Sequence, residues 1–250
     1  MGPVRALTYD GLAPDALAAR LRLPHLIVRA EVTSALDELH QLAEAGAPAS
    51  TTVLADAQTR GRGRQGRSWQ SPAGRGIWLG YLVRSAGGAS GLLAVRVGLA
   101  VTRALDALDV PAQVKWPNDV LVDGRKVCGI LCETRWRGAT PLWSAVGIGI
   151  NVHGPVPADV AGTAAALDEH RAVTRVAVLE RLIPLLRALP TGPALDDAER
   201  AAWRARDWLG DRRISAPVAG IARGIGGDGA LLVETPAGIR SALAGHVTVA

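Results

Sequence analysis

The chain has 250 residues, of which 48% are hydrophobic and 20% charged, and its formal net charge is +5. This length is enough for a globular core with room for a small second unit. No run of about 18 apolar residues is present, and residues 1–21 lack an apolar segment followed by a small-residue cleavage site, so we expect neither a membrane span nor a signal peptide.

Lysine is almost absent from this arginine-rich chain and occurs only at Lys115 and Lys126. Arginine is a planar fork, whereas lysine is a compact charge on a slim stem. Two lysines in one short stretch therefore indicate places where arginine does not fit, although codon bias and chance are the simpler alternative. Cys128 and Cys132 lie in the apolar run "VCGILCE" at a spacing that favours small buried side chains over a disulfide or metal pair, which fits a reducing cytosol.

Hydrophobic periodicity predicts the regular elements in chain order. Helices are predicted over residues 10–23, 34–45, 91–108, 175–189 and 195–209. Strands are predicted over residues 25–32, 51–58, 76–83, 112–116, 120–131 and 142–152, with a hairpin turn at Asp123-Gly124. Residues 61–75 hold too many glycines and arginines for either form. On the third helix, Arg96, Arg103 and Asp106 are predicted to face solvent.

Beyond residue 209 the chain contains short β-type runs separated by glycine turns. This pattern predicts a small barrel-like unit over residues 209–250, after a larger unit over residues 1–208. Hairpins combined with segregated helices favour an α+β fold with a mixed sheet over a doubly wound parallel sheet.

Three stretches have residue types suited to binding. In Gly61–Gln70, "GRGRQGRSWQ", glycines let backbone N–H groups approach an anion and arginines supply positive charge; single-stranded nucleic acid or a solvated loop are the alternatives. In "KWPND", Asp119 follows a turn and suits a magnesium ion or a lysine partner. In "VGIGINV", Gly147 and Gly149 indicate something lying against a strand, or a bulge.

Taken together and in this order, "GRGRxGRxW", "KWPND", "KxxGIL" with a following glutamate, and "GxGIN" resemble the biotin protein ligases. The C-terminal "GALLVE" is similar to the SH3-like β-barrel that ends those enzymes. The resemblance implies an α+β, mixed-sheet catalytic domain of the biotin/lipoate ligase, class II synthetase-like type over residues 1–208, and an SH3-like barrel over residues 209–250.

The same resemblance implies activation of biotin by ATP to biotinyl-5′-AMP, and transfer to a lysine of a biotin carboxyl carrier protein of acetyl-CoA or pyruvate carboxylase type. It assigns catalysis to Lys126 and Arg64, and a magnesium ion to Asp119. The implied biotin site is Ser34, Ala35, Gln58, Arg62, Gly63, Arg64, Lys126, Gly129, Gly147 and Gly149. The implied ATP site is Arg64, Arg67, Trp69, Lys115, Asn118, Asp119 and Asn151. Closure of the Gly61–Trp69 loop is expected to exclude water.

The sequence departs from the family pattern in two places. Where many members have Ser-Thr-Asn, this chain has Ser34, Ala35 and Leu36; Ser34 retains a donor for the ureido group, but "SALD" is also a capping-box pattern. Residues 1–33 are too few for a winged helix-turn-helix, so we expect no sequence-specific DNA binding. An exposed sheet edge offers a route to a homodimer.

Three other functions compete with this one. A lipoate or octanoate ligase or transferase shares the fold, but the loop and "KWPND" fit the biotin branch better. A basic nucleic-acid-binding protein predicts basic residues along one face and salt-sensitive binding. A catalytically silent biotin-binding module leaves Lys126 without a purpose. His153, His170 and His246 show no metal-ligand spacing.

Overall fold

The computed structural model of the protein describes residues 7–84 and 90–250. Its helices are α1 (Pro14–Leu21), α2 (Ala35–Glu44), α3 (Ser90–Asp106), α4 (Arg175–Arg187) and α5 (Asp197–Arg204). Its strands are β1 (Leu26–Val32), β2 (Thr52–Gln58), β3 (Gly76–Val83), β4 (Gln113–Lys115), β5 (Asp119–Val122), β6 (Arg125–Arg137), β7 (Thr140–Asn151), β8 (Arg213–Ala216), β9 (Gly220–Ile225), β10 (Leu231–Thr235), β11 (Gly238–Ala242) and β12 (Thr248–Val249). Within these ranges no helix has the length and apolar character needed to cross a bilayer.

Seven strands form one mixed sheet in the order β1-β2-β3-β7-β6-β5-β4. Strands β1 and β2 are parallel, and the other neighbours are antiparallel. The α+β prediction with a mixed sheet is therefore confirmed. The two longest strands, β6 and β7, are hydrogen-bonded to each other, and β5 pairs with the first residues of β6 while β3 pairs with residues 144–151 of β7.

Side chains alternate between the two faces of the sheet, and each face packs on different helices. Leu54 of β2 and Ile148 of β7 join the core that includes residues of α1, α3 and α4. Val53, the neighbour of Leu54, lies instead in a second core with α2. Cys128 is fully buried and Cys132 partly buried, and both are free thiols, as predicted.

The C-terminal unit is a five-stranded antiparallel sheet in the order β11-β10-β9-β8-β12, which agrees with the predicted barrel-like unit. It shares a hydrophobic core with α3 and α5. The indole N–H of Trp116, between β4 and β5, donates to the carbonyl of Gly229 at 3.0 Å. This hydrogen bond joins the "KWPND" turn to the barrel. The boundary between residues 208 and 209 stays a prediction.

Two helices differ from the predicted ranges because tertiary contacts and turn geometry prevail over periodicity. The first begins at Pro14 instead of residue 10, since Asp10 and Gly11 form a turn with φ values of 50° and 80°. The last ends at Arg204 instead of residue 209, because the next segment bonds to β4: the N–H of Val114 donates to the Arg206 carbonyl at 2.9 Å.

Arg96 was predicted to face solvent, and this prediction is wrong. Its side chain is 5% exposed and pairs with Glu199 of α5 at 2.7 Å. Its guanidinium also donates to the carbonyls of Gly192 and Ala194. The polar side of α3 is covered by α5. The buried Arg96 guanidinium is stabilised there because its nitrogens donate to Glu199 and to two backbone carbonyls.

Replacing Arg96 by alanine is expected to lower the free energy of unfolding by about 3–5 kcal/mol, because Glu199 is left as a buried, unpaired charge. Urea denaturation measures this change. The control is Arg103→Ala on the exposed side of the same helix, for which we expect a change of about 0.5 kcal/mol or less. Equal effects of the two substitutions would contradict the buried pair.

Candidate functional site

A cavity of about 650 Å³ opens on the face of the sheet that packs on α2. This volume lies within the range of small-molecule sites. Its lining includes every residue that the sequence analysis assigned to the two sites, namely Ser34, Ala35, Gln58, Arg62, Gly63, Arg64, Arg67, Trp69, Lys115, Asn118, Asp119, Lys126, Gly129, Gly147, Gly149 and Asn151. The fold thus brings these residues together from four separate stretches of the chain. Their individual ligand contacts stay predictions.

The floor of the cavity is built from glycines of β6 and β7. Gly129 and Gly149 are directly paired across the two strands. A Cβ at Gly129 would lie 2.9 Å from Trp69 Cζ3, and one at Gly149 only 2.5 Å from Trp69 Nε1. At Gly147 an added Cβ would make an ordinary contact of 3.5 Å with Leu36. The side chain that requires glycine at two of the three floor positions is therefore the indole of Trp69.

Lys126 enters the cavity from the start of β6. Its Nζ lies 2.6 Å from Asp119 Oδ1 and 5.1 Å from the centroid of the Trp69 ring. Lys126 and Asp119 thus form a close ion pair through Oδ1. The backbone of Lys126 is held on both sides, because its N–H donates to Thr163 and its carbonyl accepts from Ala165.

The "KWPND" turn faces the same cavity. Asn118 donates from Nδ2 to the Ile130 carbonyl at 2.7 Å, and its backbone carbonyl accepts from the Ile130 N–H at 3.0 Å. Its remaining oxygen, Oδ1, accepts from Arg64 at 3.2 Å. Asn118 therefore fixes the turn to β6 and positions the Arg64 guanidinium over the cavity. Asn151, at the end of β7, donates to the Ala165 carbonyl at 3.2 Å.

The Gly61–Trp69 loop, here called the Arg-Gly loop, is an ordered hairpin. The Trp69 N–H donates to the Gly61 carbonyl at 2.8 Å, and the Gly63 N–H donates to the Arg67 carbonyl at 2.7 Å. A Cβ at Gly61 would clash with the Trp69 carbonyl oxygen, so this position requires glycine. The hairpin places the Trp69 indole on the glycine floor.

The two arginines of "GRGR" point in different directions. Arg64 points to Asn118, whereas Arg62 bonds to Glu133 Oε1 at 2.8 Å and to Asp37 at 2.7 Å. Because two carboxylates hold the Arg62 side chain, it tethers the loop to α2 and β6. No local motif identifies Asp37 as part of this tether, and Glu133 is visible in the sequence only as the glutamate that follows "KxxGIL".

His40 completes the tether. The Trp143 indole N–H donates to His40 Nδ1 at 3.1 Å, so Nε2 carries the ring proton and donates to Glu133 at 2.9 Å. This hydrogen bond is the largest influence on the pKa of Glu133 and lowers it. Burial raises the pKa, the Arg62 guanidinium lowers it further, and the net result is a pKa of about 2. Glu133 is thus ionised throughout the physiological pH range and keeps its hold on Arg62.

Ser34 and Gln58 have roles that the sequence pattern did not reveal. Ser34 occupies the N-cap position of α2, but its hydroxyl accepts no hydrogen bond from the helix, so the capping-box interpretation is wrong. Gln58 caps the helix instead: its Oε1 accepts from the Ala35 N–H at 2.8 Å, while its Nε2 donates to Ser71 at 2.7 Å. Within the described part of the chain, the Ser34 hydroxyl therefore lies at the cavity wall without a capping hydrogen bond.

Part of the lining escaped the sequence analysis altogether. Trp208 and residues 245–247 reach the cavity from the C-terminal side, and a loop within residues 157–164 forms another wall. His246 is exposed at this rim. No local pattern identifies these residues, because their position depends on packing between the barrel and the sheet.

The cavity offers few ligands for a metal ion. Among the described residues, no three His, Cys, Asp or Glu side chains meet as a ligand set. Within the described cavity lining the candidate ligand is the Asp119 carboxylate, whose Oδ1 lies 2.6 Å from the Lys126 ammonium. Magnesium binds through one or two carboxylates when substrate phosphates and waters supply its other ligands. The residues fit a magnesium ion that enters with a nucleotide.

The mixed sheet, the small barrel and the cavity with both lysines define the class of protein. The model of the Biotin/lipoate A/B protein ligase family matches residues 29–151. A biotin–[acetyl-CoA-carboxylase] ligase of Paracoccus denitrificans is 38% identical over 217 residues, which are 77% of this chain and 88% of that protein. This chain belongs to the biotin/lipoate A/B protein ligase family.

Another relative matches this chain over part of its sequence, and a solved structure matches it in fold. A bifunctional ligase/repressor of Bacillus spizizenii is 37% identical over 132 residues, and the match spans 52% of this chain but only 41% of that relative. The solved structure of a biotin protein ligase from Aquifex aeolicus, in complex with biotin and ATP, has a TM-score of 0.76 and 28% identity. That alignment covers 91% of this chain and 99% of the other.

Replacing Gly149 by alanine is expected to displace the Trp69 indole, because the new methyl group would lie 2.5 Å from Nε1. The indole N–H resonance of Trp69, assigned with a Trp69→Phe variant, measures the displacement. The matched control is Gly147→Ala on the same strand face, where 3.5 Å of space leaves that resonance in place. An unmoved resonance in both variants would mean that the indole does not lie on this floor.

Proposed function

We propose that this protein activates biotin with ATP, forming biotinyl-5′-AMP and pyrophosphate, and then transfers the biotinyl group to a lysine of a carboxyl carrier protein. The observation that carries the proposal is that Lys115 and Lys126, the two lysines of the chain, line one cavity together with Arg64. The biotin and ATP bound in the related Aquifex aeolicus structure support the choice of substrates.

Activation joins two anions. A carboxylate oxygen of biotin attacks the α-phosphorus of ATP, a new P–O bond forms, and the bond to the leaving pyrophosphate breaks. Positive groups aimed at the oxygens between the reactants stabilise the charge that develops. Lys126 is the proposed contact with both reactants, since its slim stem enters from β6 beside Trp69. Arg64, oriented by Asn118, is the proposed second cation.

Asp119 is proposed to act beside Lys126. Its carboxylate lies 2.6 Å from the Lys126 ammonium and restrains it. The same carboxylate is the proposed protein ligand of magnesium. When bound, the ion would supply charge neutralisation at the phosphates, so that Asp119 links the metal and the lysine.

The Arg-Gly loop is proposed to keep water away from the adenylate. An acyl-adenylate is a mixed anhydride, and water that reached its carbonyl carbon would hydrolyse it. The tether of Arg62 to Glu133 and Asp37 supports a closed position of the loop. In the second step an uncharged lysine amine of the carrier attacks that carbonyl carbon, an amide bond forms, and AMP leaves.

Carriers of the acetyl-CoA or pyruvate carboxylase type are proposed as partners, which the Paracoccus denitrificans relative supports through its name. The free thiols of Cys128 and Cys132 on β6 suit a reducing compartment, and we propose the cytosol. The Arg-Gly loop has little in common with a nucleic-acid-binding tail, because Arg62 is paired with two carboxylates and Arg64 with an amide.

The first test is pyrophosphate release from ATP and magnesium, with biotin and lipoate compared side by side before and after a carrier domain is added. We expect release only with biotin, and transfer to the carrier. Lys126→Met should lower the rate by at least about a hundredfold, since the transition-state charge loses its main cation. Melting curves control for folding. Lipoate-dependent release, or a fully active Lys126→Met enzyme, would refute the assignment.

The tether predicts a leak of the intermediate. Glu133→Gln keeps the side-chain shape but removes the charge that holds Arg62, so free biotinyl-5′-AMP should escape roughly tenfold faster. The ratio of pyrophosphate released to biotin transferred measures the leak. Glu38→Gln is the control, because Glu38 lies on α2 and pairs with Arg29 outside the cavity lining. An unchanged ratio in Glu133→Gln would show that the tether does not hold the loop.

A further inference from the structure

Both lysines of the chain lie over tryptophan rings. Lys126 Nζ is 5.1 Å from the centroid of Trp69, and Lys115 Nζ is 4.9 Å from the centroid of Trp208. Ammonium groups at this distance are attracted to the negative face of an indole ring. Trp69 belongs to the Arg-Gly loop, whereas Trp208 lies outside every stretch assigned so far.

The backbone places Trp208 beside Lys115. Residues 206–208 run parallel to β4 and add a short edge to the sheet: the Val114 N–H donates to the Arg206 carbonyl at 2.9 Å, and the Trp208 N–H donates to the Val114 carbonyl at 2.8 Å. Since Lys115 follows Val114, the two side chains project from neighbouring positions of adjacent backbone segments. Trp208 reaches the same cavity as Lys115.

Trp208 is itself held in place. The Leu209 N–H donates to Asp207 Oδ1 at 2.9 Å, which closes the turn after the short edge. The Arg212 guanidinium carbon lies 4.4 Å from the Trp208 centroid, and Arg212 Nε donates to the Trp208 carbonyl at 2.6 Å. The ring is thus fixed through its backbone and through a second cation before any ligand arrives.

The partner of Lys115 differs from that of Lys126 in charge. Asp119 lies 2.6 Å from Lys126, but among the described residues no carboxylate forms a salt bridge with Lys115. An indole ring restrains a cation without adding a negative charge beside it, whereas a carboxylate adds one. A lysine that must attract the phosphates of ATP benefits from a partner of the first kind.

We propose that Trp208 is a positioning residue that holds Lys115 for the nucleotide, so that ATP binding depends on the segment joining the sheet to the barrel. This inference rests on the proposed function for the identity of the nucleotide. It assigns no direct ligand contact to Trp208, which acts through the ammonium group of Lys115.

The test is the equilibrium affinity of the full-length protein for ATP with magnesium, measured by titration calorimetry, which needs no turnover of biotin. Trp208→Leu should weaken ATP binding on the order of tenfold, while Trp208→Phe, which retains an aromatic face, should restore most of it. Biotin affinity should stay within about twofold of wild type, which a general loss of fold would not allow. Trp136→Leu, at a half-exposed tryptophan outside the cavity lining, is the control.

A double-mutant cycle with Lys115→Met decides between action through Lys115 and direct contact. If Trp208 acts through Lys115, adding Trp208→Leu to Lys115→Met should weaken ATP binding by less than about twofold. A full additional loss, as expected if the ring stacked on adenine, would overturn the proposal, as would unchanged ATP affinity in Trp208→Leu. Failure of the proposed function shows separately, as wild-type protein that binds ATP without biotin-dependent pyrophosphate release.

Discussion

The antiparallel pairing of β6 and β7 is the constraint on which the site depends. Side chains alternate along a strand. On β7, Ile148 and Ile150 therefore pack into the main core, while Gly147 and Gly149 face the cavity on the opposite side of the sheet. The register then sets Gly129 directly beside Gly149. One pleated pair therefore supplies both the core and a floor flat enough for the indole of Trp69.

The cations around this floor are restrained in two different ways. Arg62 is neutralised by Glu133 and Asp37, and its function is to hold the loop. Arg64 and Lys115 are restrained by neutral groups, an amide oxygen and an indole ring, which leave their charge available. This division lets an ordered cavity keep a surplus of positive charge, as binding of an anionic nucleotide requires.

The local patterns predicted most elements correctly, and their errors have one physical source. Periodicity describes an isolated element, whereas Arg96 is buried because another helix covers it. The last helix is short because Arg206 and Trp208 bond to β4. Likewise "SALD" matches a capping pattern, yet helix α2 is capped by Gln58 at the end of β2. No local pattern includes this residue, because it is distant from the helix in sequence.

The amino-acid sequence by itself determined the local features of the site and their order along the chain. These are a glycine-arginine hairpin, a turn with Asn118, a lysine after a tight turn, and alternating glycines. These features are local, because glycine content, alternation and turn residues act over a few positions. Only the tertiary structure decided that Arg62 faces two carboxylates and Arg64 an amide, and that Trp208 lies under Lys115. Partners distant in sequence meet only when the sheet and the barrel pack, and that packing sets which charges stay free.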